Sequence, residues 1–154
     1  MALSRLDNLY RAVILDHSNH PHHRGSLDTA TQIDLNNPTC GDVIKLSVAF
    51  DGDTISDIAF DGSGCSISTS SASMMTDAVI GKTKKEAYQL AEIFSEMVQG
   101  VEDPDQEKLG EAKFLAGVAK FPQRIKCATL SWNALKKALE SGDEGIAVNL
   151  EEHK

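Results

Sequence analysis

The spacing of apolar residues along the chain predicts a fold that combines helices with a small sheet. Residues 4–17 carry apolar side chains at i, i+3, i+4, i+7 and i+8, which is the spacing of one face of an amphipathic helix. Residues 43–50 and 54–60 are rich in branched side chains and flank a turn at 51–53, so they indicate a β-hairpin. Residues 31–36 are a candidate third strand.

Helical spacing returns in the middle of the chain. A helix is expected from Ser66 to about residue 80, directly after Cys65, and its many serines are expected to let it pack closely on the sheet. A second helix is expected over 84–99, with Thr83 as its N-cap and Glu86 completing a capping box.

The last third of the chain is predicted to hold a linker and a long helix. Residues 100–110 are acidic and indicate a mobile linker, followed by a short helix at 111–118. Pro122 suits the first turn of a helix that runs to about residue 140, with Trp132 partly buried. These elements predict an α+β fold: a small antiparallel sheet of about three strands packed against several α-helices.

Composition indicates one globular domain with an acidic excess. The 154 residues are 41% hydrophobic, enough to bury a core without disulfides, so 1–154 is expected to be a single domain with a mobile acidic tail from about residue 141. The net charge of −8 argues against nucleic acid, whose phosphates need a basic surface. No run approaches the ~20 apolar residues of a membrane span and no secretory signal is visible. A cytoplasmic protein that binds no membrane is therefore expected.

Three cysteines and one aspartate are the candidate ligands of a metal ion. Cys40 and Asp42 flank a glycine, which lets the backbone turn both side chains toward one point. With Cys65 and Cys127 they supply three thiolates and one carboxylate, enough for a tetrahedral site. An odd number of cysteines favours thiol chemistry or metal binding over disulfides. Taken singly, each cysteine is as consistent with a small buried hydrophobe.

Two basic residues precede the third cysteine. Arg124 lies three residues before Cys127 and on the same helix face. A zinc ion with three thiolates and a carboxylate leaves net negative charge, which needs neighbouring cations or N–H donors. We expect Arg124 to contact the site, with Asp42 as its partner, and Lys126 to lie nearby. The alternative is that Arg124 is a solvated surface residue.

A histidine-rich segment follows the first helix and contains His17, His20, His22 and His23. Its proline and polar residues are typical of a solvated loop. Contact with a partner and metal binding are the alternatives for these side chains.

Three sequence blocks resemble the U-type iron–sulfur cluster assembly family, which includes NifU N-terminal domains, IscU and SufU. The blocks are Asn-Asn-Pro-Thr-Cys-Gly-Asp at 36–42, Gly-Ser-Gly-Cys-Ser-Ile-Ser at 62–68 and Phe-Pro-Gln-Arg-Ile-Lys-Cys-Ala-Thr-Leu at 121–130. The resemblance covers about residues 4–140. It implies an IscU/SufU-like fold and a ligand set of Cys40, Asp42, Cys65 and Cys127.

Three departures from the scaffold branch of that family resemble the SufU branch of Gram-positive bacteria. Lys126 stands where scaffold-type members have a histidine, and residues 121–125 lack the Pro-Pro-Val-Lys-like segment that recruits an Hsp70 chaperone. The chain is also longer between the second and third cysteines, around 99–116. The SufU branch is understood as zinc-dependent sulfurtransferases that work with SufS-type cysteine desulfurases.

The resemblance therefore implies a persulfide carrier rather than a stand-alone enzyme. Cys40 would accept sulfur from a SufS-type desulfurase and pass it to downstream SUF cluster-assembly proteins, while Asp42, Cys65 and Cys127 hold zinc. One alternative is a scaffold on which a transient [2Fe–2S] cluster is assembled. Another is an adaptor in which zinc contributes only folding energy.

Overall fold

The computed structural model describes residues 2–25, 27, 31–37, 41–101, 104–120, 122–141 and 148–149. The elements in these ranges are α1 (Ala2–Asn19), β1 (Thr31–Asn37), β2 (Asp42–Asp51), β3 (Thr54–Ser63), α2 (Ser66–Val79), α3 (Lys84–Met97), a 3-10 segment (Pro104–Lys120), α4 (Pro122–Ser141) and β4 (Val148–Asn149). The predicted α+β class is confirmed, as is the placing of a long helix directly after Cys65.

The sheet is built on the predicted hairpin. β2 and β3 pair antiparallel, with a bulge at Ala49 and Phe50, and β1 pairs antiparallel with the other edge of β2. The order is β3-β2-β1-β4, because the two residues of β4 lie parallel to β1 opposite Ile33 and Asp34. Val148 and Asn149 thus take part in the sheet, and the rest of the tail expected from about residue 141 lies mostly outside the described residues.

Helix α2 packs mainly between α1 and α4 rather than on the sheet, which the sequence had not predicted. Its small serines allow this close approach and also make hydrogen bonds to the neighbouring helices. Ser71 Oγ donates to the carbonyl of Ala128 at 2.5 Å and accepts from Trp132 Nε1 at 3.0 Å. These bonds connect α2 to α4 one residue beyond Cys127.

Trp132 is completely buried, so the prediction that it is partly buried is wrong. Its ring stacks on Phe94 with centroids 4.5 Å apart, and Ser71 satisfies its indole N–H. A buried tryptophan normally needs such a partner. The partner lies 61 residues away in the chain, which is why the local pattern did not reveal it.

The capping box of α3 is confirmed, because Thr83 Oγ1 accepts from the backbone N–H of Glu86 and Glu86 Oε1 accepts from that of Thr83, both at 3.1 Å. The span Pro104–Lys120 holds two 3-10 helices divided at Gly110, whose φ is 62°. The second agrees with the short helix expected at 111–118, whereas the first lies where a linker was expected. The buried apolar residues of this span fall at every third position: Leu109, Ala112, Leu115 and Val118. After the break at Gly110, this spacing aligns Ala112, Leu115 and Val118 on one face of a helix with three residues per turn.

In the part of the chain that the structure describes, none of the helices combines the length and the apolar character that crossing a bilayer requires.

Candidate metal centre

Asp42, Cys65 and Cys127 come together from three separate elements. Asp42 begins β2, Cys65 lies between β3 and α2, and Cys127 lies in the second turn of α4. One carboxylate oxygen and the two sulfur atoms all lie within 4.8 Å of one another. Asp42 is 1% exposed and Cys127 0%, whereas Cys65 is only partly buried. The fourth candidate ligand, Cys40, lies outside the described residues.

Cys65 is fixed in place by the start of α2. It is the N-cap residue of that helix, and its Sγ accepts a hydrogen bond from Ser68 N at 3.4 Å. Its own backbone N–H donates to Asp42 Oδ1 at 3.0 Å. The free N–H groups and the dipole of a helix N-terminus favour negative charge at this position. The sulfur of Cys65 and the carboxylate of Asp42 are therefore oriented by one short turn.

Glycines around the site leave room for this arrangement. A Cβ on Gly64 would lie 2.8 Å from Asp42 Oδ1 and 3.0 Å from Ser68 Oγ, closer than real Cβ contacts. Gly41, just before Asp42, has φ 74°, which a residue with a side chain rarely adopts. The sequence did not reveal that Gly64 must be small because of Asp42.

Arg124 faces the two cysteines. The charge of the Cys65 thiolate and a hydrogen bond to Cys127 raise the pKa of the Arg124 guanidinium above its ordinary value. The predicted partner of Arg124 was Asp42. Asp42 Oδ1 instead accepts from Cys65 N, and Asp42 Oδ2 has no hydrogen-bond partner among the described residues. The guanidinium itself is exposed, as is the side chain of Lys126. Arg124 is thus placed to offset the negative charge of the sulfur atoms.

The three residues suit a bound zinc ion. Asp42 Oδ2 is buried and lacks a hydrogen-bond partner among the described residues, which is costly for a carboxylate unless a cation lies beside it. Two thiolates and one carboxylate at this spacing are ligands that zinc accepts. They leave one tetrahedral position, for which Cys40, two residues before Asp42, is the nearest thiol in the sequence.

The histidine segment forms a separate cluster on the other end of α2. His17 is 1% exposed, so the prediction of a solvated loop does not hold for this residue. His20 is exposed, while His22 and His23 both lie beside Asp77. The sequence showed only that this segment is rich in histidine. It could not reveal the contact with Asp77, which is more than fifty residues away in the chain.

Residues 9–141 of the chain match the family described as the NifU-like N-terminal domain. The chain belongs to this family. This assignment confirms the family resemblance of the three sequence blocks. The matched range contains Asp42, Cys65 and Cys127.

Two curated relatives cover almost the whole chain. The iron–sulfur cluster assembly scaffold protein IscU of Streptococcus pyogenes serotype M1 is 69% identical over 91% of this chain and 88% of its own length. The zinc-dependent sulfurtransferase SufU of Bacillus subtilis (strain 168) is 51% identical over 92% of this chain and 97% of its own length. The two names describe different activities.

Two solved structures share this fold. A hypothetical protein solved at 2.3 Å resolution is 68% identical, with a TM-score of 0.84 over 87% of this chain and 98% of that one. A putative iron–sulfur cluster assembly scaffold protein for the SUF system, from Fervidobacterium islandicum AW-1, is 36% identical, with a TM-score of 0.79 over 82% and 93%.

Proposed function

We propose that this protein acts in iron–sulfur cluster assembly as a zinc-dependent sulfurtransferase that receives sulfur from a SufS-type cysteine desulfurase. The observation that carries the proposal is the convergence of Asp42, Cys65 and Cys127 around a buried carboxylate oxygen that lacks a hydrogen-bond partner among the described residues. The SufU relative, at 51% identity, supports the assignment to zinc.

Asp42, Cys65 and Cys127 would hold the ion. When bound, zinc keeps the sulfur ligands deprotonated and protects them from oxidation. Cys65 is tied to the first turn of α2, and Cys127 is inaccessible to solvent within α4. The Cys127 sulfur cannot meet a persulfide on another protein without disturbing α4, and moving the Cys65 sulfur would break its capping bond to Ser68 N.

Cys40 is therefore the residue to which we assign sulfur transfer. It is the remaining cysteine of the chain and stands beside Gly41 in the Cys-Gly-Asp run that also supplies Asp42. Its thiolate attacks the terminal sulfur of the desulfurase persulfide, a new S–S bond forms on Cys40, and the desulfurase cysteine leaves as a thiolate. The persulfide on Cys40 then passes to a downstream cluster-assembly protein. Arg124 offsets negative charge at the two remaining sulfur atoms.

Desulfurase stimulation tests the proposal. The wild-type protein should purify colourless with one zinc per chain and should increase the turnover of a SufS-type desulfurase with cysteine as substrate. Cys40→Ala should abolish the increase while the fold remains. Wild-type protein that carries zinc but does not change desulfurase turnover would contradict the transfer role and favour a structural adaptor.

A second candidate is a scaffold that holds a [2Fe–2S] cluster, which the relative at 69% identity favours because it is named as a scaffold. Anaerobic reconstitution with iron, cysteine and desulfurase separates the two functions. A scaffold should develop the visible absorption of a cluster at two irons per cluster and transfer it to an apo-ferredoxin. A sulfurtransferase should keep its zinc and remain colourless.

A further inference from the structure

A second group of metal-ligand side chains lies on α2, about twelve residues from Cys65, which corresponds to ~18 Å along a helix. His17 lies in the last turn of α1, His22 belongs to the segment after it, and Asp77 lies in α2. One donor atom from each of these residues lies within 4.8 Å of the other two. We propose that His17, His22 and Asp77 form a second site, for a divalent transition metal ion of the zinc type.

The distances require only small side-chain movements. The imidazole rings of His17 and His22 have centroids 4.5 Å apart, and His22 Nδ1 lies 2.5 Å from Asp77 Oδ2. Ligands at 2.0–2.2 Å from a tetrahedral zinc ion lie about 3.3 Å from one another. The His22–Asp77 pair must open slightly and move toward His17, which rotation of the exposed His22 and Asp77 side chains allows.

His17 is oriented as a metal-binding histidine usually is. Its Nε2 lies 2.7 Å from Glu111 Oε1, and the carboxylate accepts the Nε2–H hydrogen bond. In this arrangement the proton is on Nε2 and the lone pair is on Nδ1, which fixes both the tautomer and the ring orientation. Because the His17 side chain is 1% exposed, the ring has little freedom to turn away.

Ser73 forms a hydrogen bond with the His17 nitrogen that a metal ion would use. Its Oγ lies 2.6 Å from His17 Nδ1 and accepts from the backbone N–H of His22 at 2.8 Å. A metal ion on the Nδ1 lone pair would take the place of Ser73 Oγ, because an oxygen 2.6 Å from Nδ1 lies where an ion at about 2.0 Å must sit. Ser73 Oγ therefore has to rotate away, and its bond from His22 N is given up. The site is closed in the metal-free protein by both bonds of Ser73 and by the His22–Asp77 contact.

The charge and exposure of the cluster suit a cation arriving from solvent. The His22 and Asp77 side chains are 44% and 38% exposed, so an ion reaches them directly. Asp77 and Glu111 together supply two carboxylates for a divalent ion. Two imidazoles and a carboxylate are a nitrogen and oxygen donor set that zinc, copper, nickel and cobalt accept, unlike the sulfur-rich set at Cys65 and Cys127.

Metal binding here would attach the histidine segment to α2. That segment is already bonded to β3, since Phe60 N donates to the His23 carbonyl at 3.0 Å and Gly25 N donates to the Phe60 carbonyl at 2.8 Å. β3 leads directly into the turn that holds Cys65. The second site is therefore connected through β3 and α2 to the first site. It offers nitrogen and oxygen ligands, whereas the first offers mainly sulfur.

A titration of the zinc-loaded protein with Co²⁺ tests the second site. The wild-type chain, already holding one zinc, should take up one cobalt ion whose visible spectrum shows no thiolate-to-metal charge transfer. His22→Ala and Asp77→Asn should each bind that cobalt at least about tenfold more weakly. His20→Ala is the matched control, because His20 is exposed in the same segment but outside the cluster, and should bind as wild type does.

Circular dichroism and the first zinc equivalent should be unchanged in all three variants, because each altered side chain is exposed. Absence of cobalt uptake by the wild-type protein would overturn the proposal. So would cobalt binding that His22→Ala and Asp77→Asn leave unchanged, or that His20→Ala weakens to the same extent.

Discussion

The two oxygens of Asp42 have different roles. Oδ1 orients the turn by accepting from Cys65 N at 3.0 Å, and Oδ2 has no hydrogen-bond partner among the described residues. The first contact is structural, whereas the second atom is available to a cation. We therefore expect Asp42 to adjust the site and the sulfur atoms to provide most of its affinity for zinc.

Asp42→Ala should therefore keep most of its zinc but lose sulfur transfer. The thiolates still bind the ion, and water can fill the vacated position. Zinc content by elemental analysis should stay near one per chain, while desulfurase stimulation should fall at least about tenfold, as is typical when a residue that tunes a metal site is removed. Complete loss of zinc would contradict this role and make Asp42 an essential ligand.

Arg124 offers a second test at the level of one residue. Arg124→Gln removes the cation that faces both sulfur atoms, so the negative charge of the site is less well compensated. Zinc should be lost to a competing chelator about tenfold faster, in the lower part of the range for such neighbouring residues. Lys126→Gln is the control, since this exposed lysine lies two residues away in the same helix. Equal effects of the two substitutions would reduce the role of Arg124 to general surface charge.

At the level of elements, the turn between β3 and α2 determines the site geometry. It delivers Cys65 as the N-cap of α2 and brings Gly64 against Asp42. The sequence predicted the helix that begins at Ser66, because its residues carry a local signal. It could not predict the contact with Asp42, which depends on how β2 lies beside β3.

Gly64→Ala should disrupt this turn. The added Cβ would lie 2.8 Å from Asp42 Oδ1, so either the carboxylate or the start of α2 must shift. We expect a loss of about 1–3 kcal/mol in unfolding free energy, as for other overpacked sites, together with weaker zinc binding. Gly117→Ala is the matched control, because a Cβ there meets nothing within 4 Å. Wild-type zinc affinity in Gly64→Ala would contradict the packing argument.

The predictions from local pattern were most accurate where neighbouring residues alone determine the structure of an element. The hairpin and the Thr83 capping box depend on neighbouring residues, and both are confirmed. The 3-10 helix before Gly110 was missed because its residues were assigned to a linker, whereas the helix after Gly110 had been expected. The burial of Trp132 was underestimated because Ser71, which satisfies its N–H, belongs to another helix.

For the whole molecule, the important feature is that the candidate ligands are far apart in sequence. Asp42, Cys65 and Cys127 meet only when β2, α2 and α4 have packed. The sequence and the family resemblance could name these residues, but not the partners of Arg124 or the His17–Asp77 cluster. Those contacts join distant elements and leave no periodic signal.

Zinc should therefore stabilise the folded state. An ion that binds the folded chain but not the unfolded chain adds about 4 kcal/mol at a free concentration of 1,000 times its Kd. Adding zinc to the metal-free wild-type protein should raise Tm by several degrees in calorimetry. Cys127→Ser should lose most of that increase, independently of any change in its metal-free stability. An equal increase in both proteins would show that Cys127 is not a ligand.

The central claim is that Cys40 receives the sulfur while Asp42, Cys65 and Cys127 hold the metal. Its most direct test is mass spectrometry that locates the persulfide after brief incubation of the zinc-bound protein with a SufS-type desulfurase and cysteine. We predict one added sulfur on the peptide that contains Cys40, and none on the peptides of Cys65 and Cys127. Sulfur on Cys65 or Cys127, with Cys40→Ala still accepting it, would contradict the account.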